Sequence, residues 1–261
     1  MEVGMPSGSV EVMWDAYDEA WAHVRGEVIG EAVITINVNG DELVSLMATP
    51  AQQAELALGF LLNEGLMGGL ADLDHVRVSE DGCCVDVWLK HAIAFPEQRI
   101  VTSGCGGGVT FGQVESKLDQ IETDLKMTPE AIFRMFRLLH IPDSLHARAR
   151  GVHASGLTDG EQIIALAEDI GRHNSIDKIT GICLQEHIRT VGMALLATGR
   201  ISSEMLRKGA RMGCPIIASR NSPTSLSIQI ADAVGITLVG YARQGKLRAY
   251  THAYRLNMES N

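Results

Sequence analysis

The sequence holds no apolar run near the ~20 residues that a membrane-spanning helix needs. Its N-terminus, MEVGMPSGSVEVMWDAYDEA, is acidic and lacks the charged-then-apolar order of a secretory signal. Basic residues are in the minority, 22 Lys and Arg against 32 Asp and Glu, which leaves a net charge of −10. This excludes general attraction to nucleic acid or to an anionic membrane, since both need a basic surface, and leaves room only for local basic patches. The five cysteines are an odd number and form no Cys-x-x-Cys pair. A disulfide scaffold is therefore not expected, and the cytoplasm is the expected compartment. What is present is ordinary for a globular enzyme: 261 residues, 46% apolar and 21% charged, enough for one or two cored domains and wrong for disorder.

The Gly-, Ser- and Pro-bearing residues 1–27 read as a loose lead-in. From residue 28 the pattern is strand-like. EAVITINVNG and LVSLMA form a hairpin about Asn39-Gly40, and HVRVSE and CCVDVWLK form a second about Asp81-Gly82. Between them QQAELALGFLLNEGL is helical and ends at Gly65, Gly68 and Gly69. Residues 28–125 are thus expected to form a small α+β domain. Thr128-Pro129 is a helix start. Strands then alternate with helices: VHASGL, IIALA, a helix over about 175–187, VGMALLA, a helix from Ser202 or Ser203, PIIAS, a helix opened by Ser222-Pro223, and TLVGYA. Such alternation predicts an α/β domain over 126–261, with three layers and a largely parallel sheet.

Three strand-to-helix junctions in this second domain are polar and cationic: EDIGRHNS at 168–175, TGRISSE at 198–204 and SRNSPTS at 219–225. In an open sheet such junctions gather at the carboxyl ends of the strands, and each precedes a helix N-terminus that favours anions. Arg172, Arg200 and Arg220 hold equivalent places in them, and a forked guanidinium suits phosphate oxygens. The alternative is that Ser202 and Ser222 are plain caps and the arginines solvated. His153 and His173 border these segments, each as ready to be a structural hydrogen-bonder as a catalyst. In YARQGKLRAY, 241–250, Arg243, Lys246 and Arg248 follow the last strand, either as a solvated hairpin turning at Gly245 or as a second phosphate clamp.

In VTSGCGGGVTFGQVE, 101–115, glycines flank Cys105. No Gly-Lys-Ser/Thr follows, and Val109 breaks a G-x-G-x-x-G reading, so neither nucleotide-loop pattern applies. What remains is a thiol on an unshielded loop, suited to a nucleophile or persulfide carrier, or a plain glycine turn. Cys183 and Cys214 sit in apolar surroundings and read as core; Cys83 and Cys84 lie on a strand, where only one thiol can face a given side.

Taken together, NGDELVSLMATPAQQAELALGFLLNEGL, TSGCGGG, EDIGRHNSIDK, GRISSEM, SPTSLSIQIA and LVGYARQGK resemble the formate dehydrogenase accessory proteins of the FdhD/NarQ sulfurtransferase family, over about residues 28–254. The resemblance implies a cytoplasmic homodimer whose larger domain has a cytidine-deaminase-like fold. It implies that persulfide sulfur passes from a cysteine desulfurase to the molybdenum cofactor, bis(molybdopterin guanine dinucleotide), for the formate dehydrogenase apoenzyme. The family's persulfide cysteine falls on Cys105, and its cofactor-binding segment on Tyr241, Ala242, Arg243, Gln244, Gly245 and Lys246. Arg172, His173, Arg200 and Ser202 are the further candidates for that cofactor.

One position departs from the family's pattern. Where a second loop cysteine is common, this chain has Gly108, so a resolving thiol is absent at that spacing. The alternative is a cofactor-binding chaperone for the apo-dehydrogenase that passes no sulfur. A zinc deaminase, the rival suggested by the implied fold, needs His-x-Glu and Pro-Cys-x-x-Cys; the chain offers His153-Ala154-Ser155 and Cys214-Pro215 instead, so no protein-held metal is expected.

Overall fold

The structure, a computed structural model, describes residues 8–94, 100–101, 109–110, 118 and 120–257. Two sheets dominate. The smaller has the order β4-β3-β6-β5, built from β3 (Ala32–Val38), β4 (Asp41–Ala48), β5 (Leu73–Val78) and β6 (Cys84–Leu89). Both expected hairpins are there. Asn39 and Gly40 take positive φ, 53° and 96°, as a two-residue turn matched to strand twist requires. Helix α1 (Gln53–Glu64) covers this sheet and ends on Gly65 in the left-handed conformation. Ile34, Ile36, Val44, Leu56, Phe60, Val85 and Val87 form the core between them.

The larger sheet has the order β10-β9-β11-β12-β13-β14, from β9 (His153–Thr158), β10 (Ile163–Asp169), β11 (Ala194–Ala197), β12 (Ile216–Ser219), β13 (Thr237–Arg243) and β14 (Lys246–Ala249). It is mixed rather than largely parallel. Only β11–β12 and β12–β13 pair in parallel, because β9–β10 and β13–β14 are hairpins at the two flanks and β9 runs antiparallel to β11. Both faces are covered, and the alternation of buried residues shows how. Leu195, Ala197, Ile217 and Leu238 pack with α4 (Arg172–Gln185), α5 (Ser203–Arg211) and α6 (Ser225–Ala233). Their neighbours Ala194, Leu196, Ile216, Ala218 and Val239 pack with α2 (Pro129–Leu138). Successive residues of a strand face opposite sides, so these fully apolar strands are the sign of a sheet buried on both faces.

The two sheets meet where α1 crosses α4, the most extensive packing between elements of the described chain. A Cβ on Gly59 would lie 1.8 Å from the Asp177 carbonyl oxygen, and one on Gly181 would lie 1.9 Å from that of Glu55. Only glycine lets the two backbones approach so closely.

The lead-in expected to be loose is regular from residue 9. β1 (Ser9–Asp18) and β2 (Ala20–Ile29) form an antiparallel ribbon, which turns at Glu19 and carries exposed Met13, Trp14, Tyr17 and Trp21. Near its base, Arg148 of the short α3 (Leu145–Arg148) pairs with Glu27.

Candidate functional site

The strands β10, β11, β12 and β13 all run toward one edge of the larger sheet, so the three polar junctions lie along that edge. Asp169 stands opposite His153 in the register, and Ala197 lies between Ser155 and Ser219. The first junction is not a loop. Helix α4 begins at Arg172, three residues earlier than expected, on a Gly171 cap that offers no side-chain hydrogen bond. Arg172 and His173 therefore sit in the first helical turn, both buried. In the second junction α5 starts at Ser203, as expected; Arg200 is exposed and the Ser202 hydroxyl caps the helix by accepting from the Met205 amide, the plain-cap alternative. In the third, α6 starts beyond Ser222-Pro223, on a Thr224–Ser227 capping box. Arg220 turns to α2, where it donates to His140 Nε2 and lies 5.8 Å from the centre of the Phe136 ring. The three arginines are thus not equivalent: one is buried at a helix start, one is exposed, and one is half-buried against an aromatic ring.

At this edge Gly199 is tight against both Arg172 and His153. An added Cβ would meet Arg172 Cβ at 3.0 Å and His153 Nδ1 at 3.2 Å. Burial, reinforced by the Arg172 charge, holds the His153 ring below its ordinary pKa. Beside it, His173 Nε2 lies 3.3 Å from Ser202 Oγ and 3.2 Å from Glu204 Oε2. Burial, then the Lys208 and Arg172 charges, depresses His173 to about 2, so its ring is neutral. Burial pushes Glu204 the other way, to about 7.

Sequence reasoning missed the charges beneath this edge. Lys208 Nζ contacts both carboxylate oxygens of Asp177, at 2.8 and 2.6 Å, and Asn63 Nδ2 donates to Asp177 Oδ1 at 2.7 Å. Burial opposes the charge on Lys208, but the Asp177 carboxylate outweighs it and holds the ammonium form. Nearby Lys178 Nζ pairs with Asp169 Oδ2 at 2.7 Å, with both side chains wholly buried, and also donates to the Thr49 carbonyl. Asn174 bridges Asp169 Oδ1 and the Met47 carbonyl. Asp169, Asn174 and Lys178 of EDIGRHNSIDK therefore tie the end of β4 to the larger sheet. The available signals were local: Asp177 one turn after His173, and Glu204 one turn before Lys208.

The segment 241–246 faces α2, on the other side of the sheet from the starts of α4 and α5 that carry His173 and Ser202. It is the end of β13 and the turn into β14, with Gln244 and Gly245 at positive φ. Arg243, Gln244, Gly245 and Lys246 are exposed, and with Tyr241, Leu247 and Arg248 they face Pro129, Glu130 and Phe133 of α2 across a groove of about 600 Å³. Arg248 stacks 4.5 Å from the Tyr241 ring centre. Ala242 is the exception in the segment, buried in the core against α2. The Tyr241 amide donates to the Asn221 carbonyl, which joins the hairpin to the third junction.

Cys105 lies outside the described residues. Cys183 and Cys214 are buried, and burial raises both thiols, Cys183 to about 11, which makes them poor nucleophiles. Cys83 and Cys84 are partly exposed. Among the described residues no group of three or more His, Cys, Asp or Glu side chains is placed to hold a metal ion. No described helix is long and apolar enough to cross a membrane.

Residues 29–257 match the family model of the FdhD/NarQ family. The chain belongs to this family. Among its curated relatives, the sulfur carrier protein FdhD of Bacillus subtilis (strain 168) is 32% identical over 254 residues, covering 92% of this chain and 97% of the relative. The protein of the same name from Listeria innocua is 35% identical over 241 residues, covering 89% and 92%. A crystal structure described as a formate dehydrogenase accessory protein from Desulfotalea psychrophila superposes with a TM-score of 0.76 at 24% identity, covering 95% of this chain and 99% of that one. This last likeness concerns the mixed α/β fold, which this FdhD/NarQ member shares along nearly its whole length.

Proposed function

We propose that this FdhD/NarQ protein is a cytoplasmic sulfur carrier, in which Cys105 accepts persulfide sulfur from a cysteine desulfurase and passes it to the molybdenum cofactor of a formate dehydrogenase apoenzyme. The observation that carries this reading is the family match through residues 29–257, which spans the TSGCGGG loop, joined to relatives named as sulfur carriers. In the loading step the Cys105 thiolate attacks the outer sulfur of the desulfurase persulfide, that S–S bond breaks, and the desulfurase thiolate leaves. Cys183 and Cys214 are buried, which argues against either as the carrier. With Gly108 in place of a second thiol, the loaded persulfide has no loop neighbour on which to collapse as a disulfide.

The substrate, bis(molybdopterin guanine dinucleotide), carries pyrophosphates and guanines. Donors of the right charge stand in two places at the strand ends, the basic hairpin at 243–248 facing α2 and the helix starts at Arg172 and Ser202 on the α4–α5 side, which suits a cofactor with two dinucleotide arms. A homodimer, and a cytidine-deaminase-like layering of the larger sheet with its helices, complete the reading; sheet order and coverage on both faces support the latter.

The test is intact mass after incubation with a desulfurase and cysteine: the parent gains about 32 Da, one sulfur atom, and Cys105→Ala gains none. Cys105→Ala also fails to activate the client dehydrogenase while still binding GDP. A Cys105→Ala protein that activates the client fully would make the molecule a cofactor chaperone and overturn the sulfur-transfer reading.

A further inference from the structure

His173 is 5% exposed, and its ring makes its hydrogen bond through one nitrogen, Nε2. Nε2 is hydrogen-bonded to Ser202 Oγ at 3.3 Å and lies 3.2 Å from Glu204 Oε2, close enough for the acid's O–H to turn onto it, while Nδ1 has no partner among the described residues. A neutral imidazole donates from one nitrogen and accepts at the other, so the partner of Nε2 decides which. Glu204 is itself deeply placed, with a side chain 11% exposed, and its Oε1 is buried with no hydrogen bond. A carboxylate there would leave a charged oxygen unsatisfied, which is far costlier than an unsatisfied carbonyl of the neutral acid.

The neighbouring charges do not rescue a carboxylate. The groups facing Glu204 and His173 are Arg172 and Asp177 on α4, Lys208 on α5, Glu64 at the end of α1, His153 on β9 and Arg200 in the β11–α5 loop. Lys208 already holds both oxygens of Asp177. Lys208 is the strongest attraction on a Glu204 carboxylate and Arg172 adds a smaller one, while Asp177 and Glu64 repel it. Burial outweighs both attractions and raises Glu204 to about 7.

We propose that Glu204 is a positioning residue: as the neutral acid it donates to His173 Nε2, which holds the imidazole in the tautomer that offers Nδ1–H to a phosphate at the strand-end edge. This rests on the reading of that edge as a guanine-nucleotide site. When Glu204 loses its proton the bond reverses. The carboxylate then accepts from Nε2–H, Nδ1 becomes a lone pair, and a donor to the anion is replaced by a repulsive acceptor beside a new negative charge.

The experiment pairs GDP calorimetry with nitrogen NMR of histidine-labelled protein, His173 being assigned by loss of its signals in His173→Gln. For the parent, GDP affinity falls about tenfold as pH rises from about 6 to about 8.5, the worth of one hydrogen bond to a charged group. Glu204→Gln keeps a side-chain N–H donor and does not titrate, so its affinity varies only with the nucleotide's own phosphate, which is common to both proteins. Glu204→Leu is weaker than the parent at pH 6 and no longer responds to Glu204. The NMR spectrum of the parent shows His173 protonated on Nδ1 at pH 6. An Nε2–H tautomer at pH 6, or an identical pH profile in parent and Glu204→Gln, overturns the proposal and leaves the nucleotide site standing. Absence of GDP binding at every pH removes the site and this role with it, while the tautomer still reports whether Glu204 donates.

Discussion

Two groups of charges differ in almost every physical respect, although both lie in segments rich in family motifs. At the end of β10 and along α4 and α5, Asp169, Asp177, Lys178 and Lys208 are buried and closed into pairs at 2.6–2.8 Å. On the β13–β14 hairpin, Arg243 and Lys246 are exposed and have no ion-pair partner among the described residues. The buried pairs cannot offer charge to a ligand, because their fields are already spent on one another; breaking one leaves an uncompensated ion in a low dielectric. The exposed residues can offer charge at little cost to the fold. The seam fixes geometry and the hairpin supplies attraction, and substitutions in the two should separate cleanly into losses of stability and losses of affinity.

The largest effect should come from the seam's backbone. Gly181→Ala places a methyl 1.9 Å from the Glu55 carbonyl oxygen, so α1 and α4 must move apart. The expected loss is about 3 kcal/mol or more, read by urea denaturation, and insoluble protein is within that expectation. Near-parental stability would mean that the crossing is looser than it looks. Asp177→Ala should follow closely, at about 3–5 kcal/mol, because it strands the Lys208 ammonium beneath Phe60 and removes the acceptor of Asn63.

Glu204→Gln should stabilise the fold, and only on one side of neutrality. A carboxyl raised from 4.5 to about 7 binds more protons folded than unfolded between those values, so the parent loses stability as pH rises through that window. The variant lacks this slope. It should match the parent near pH 4.5 and exceed it by at most about 3 kcal/mol above pH 8, with His173 contributing equally to both. Equal pH slopes in denaturation series of the two proteins would mean that Glu204 ionises normally in the fold.

The exposed half of this comparison was easier to find from sequence than the buried half. Asn39-Gly40, Asp81-Gly82, Thr128-Pro129 and the Ser202 cap announce turns and helix starts through local chemistry, and each stands where that chemistry put it. The start of α4 was missed because Gly171 offers no capping side chain. The β1–β2 ribbon was missed because its strands rest on no core, so no one-sided alternation marks them. Lys178 and Asp177 were invisible as pairs or seam residues because Thr49 and Asn63, which complete their environment, lie more than a hundred positions away. Helical spacing hints at such residues, but only the fold shows that they face inward.

The smallest effect on stability, and the most informative about function, belongs to the hairpin. Arg243→Ala combined with Lys246→Ala removes two cations that touch no acid among the described residues, and Gln244 and Gly245 still make the turn. Stability should stay within about 0.5 kcal/mol of the parent, as for other exposed substitutions. The stacked Arg248–Tyr241 pair and the Tyr241 amide's bond to Asn221 keep the hairpin in place. GDP affinity, by contrast, should fall about tenfold for each charge removed at low salt, and the dependence of that affinity on salt should flatten, since exposed charges attract a phosphate through a screened field. His173 and Glu204 are untouched by this change, so the remaining binding should still weaken as pH rises through about 7. A double variant with parental affinity and an unchanged salt slope would place the nucleotide away from the hairpin, on the buried side of the comparison alone.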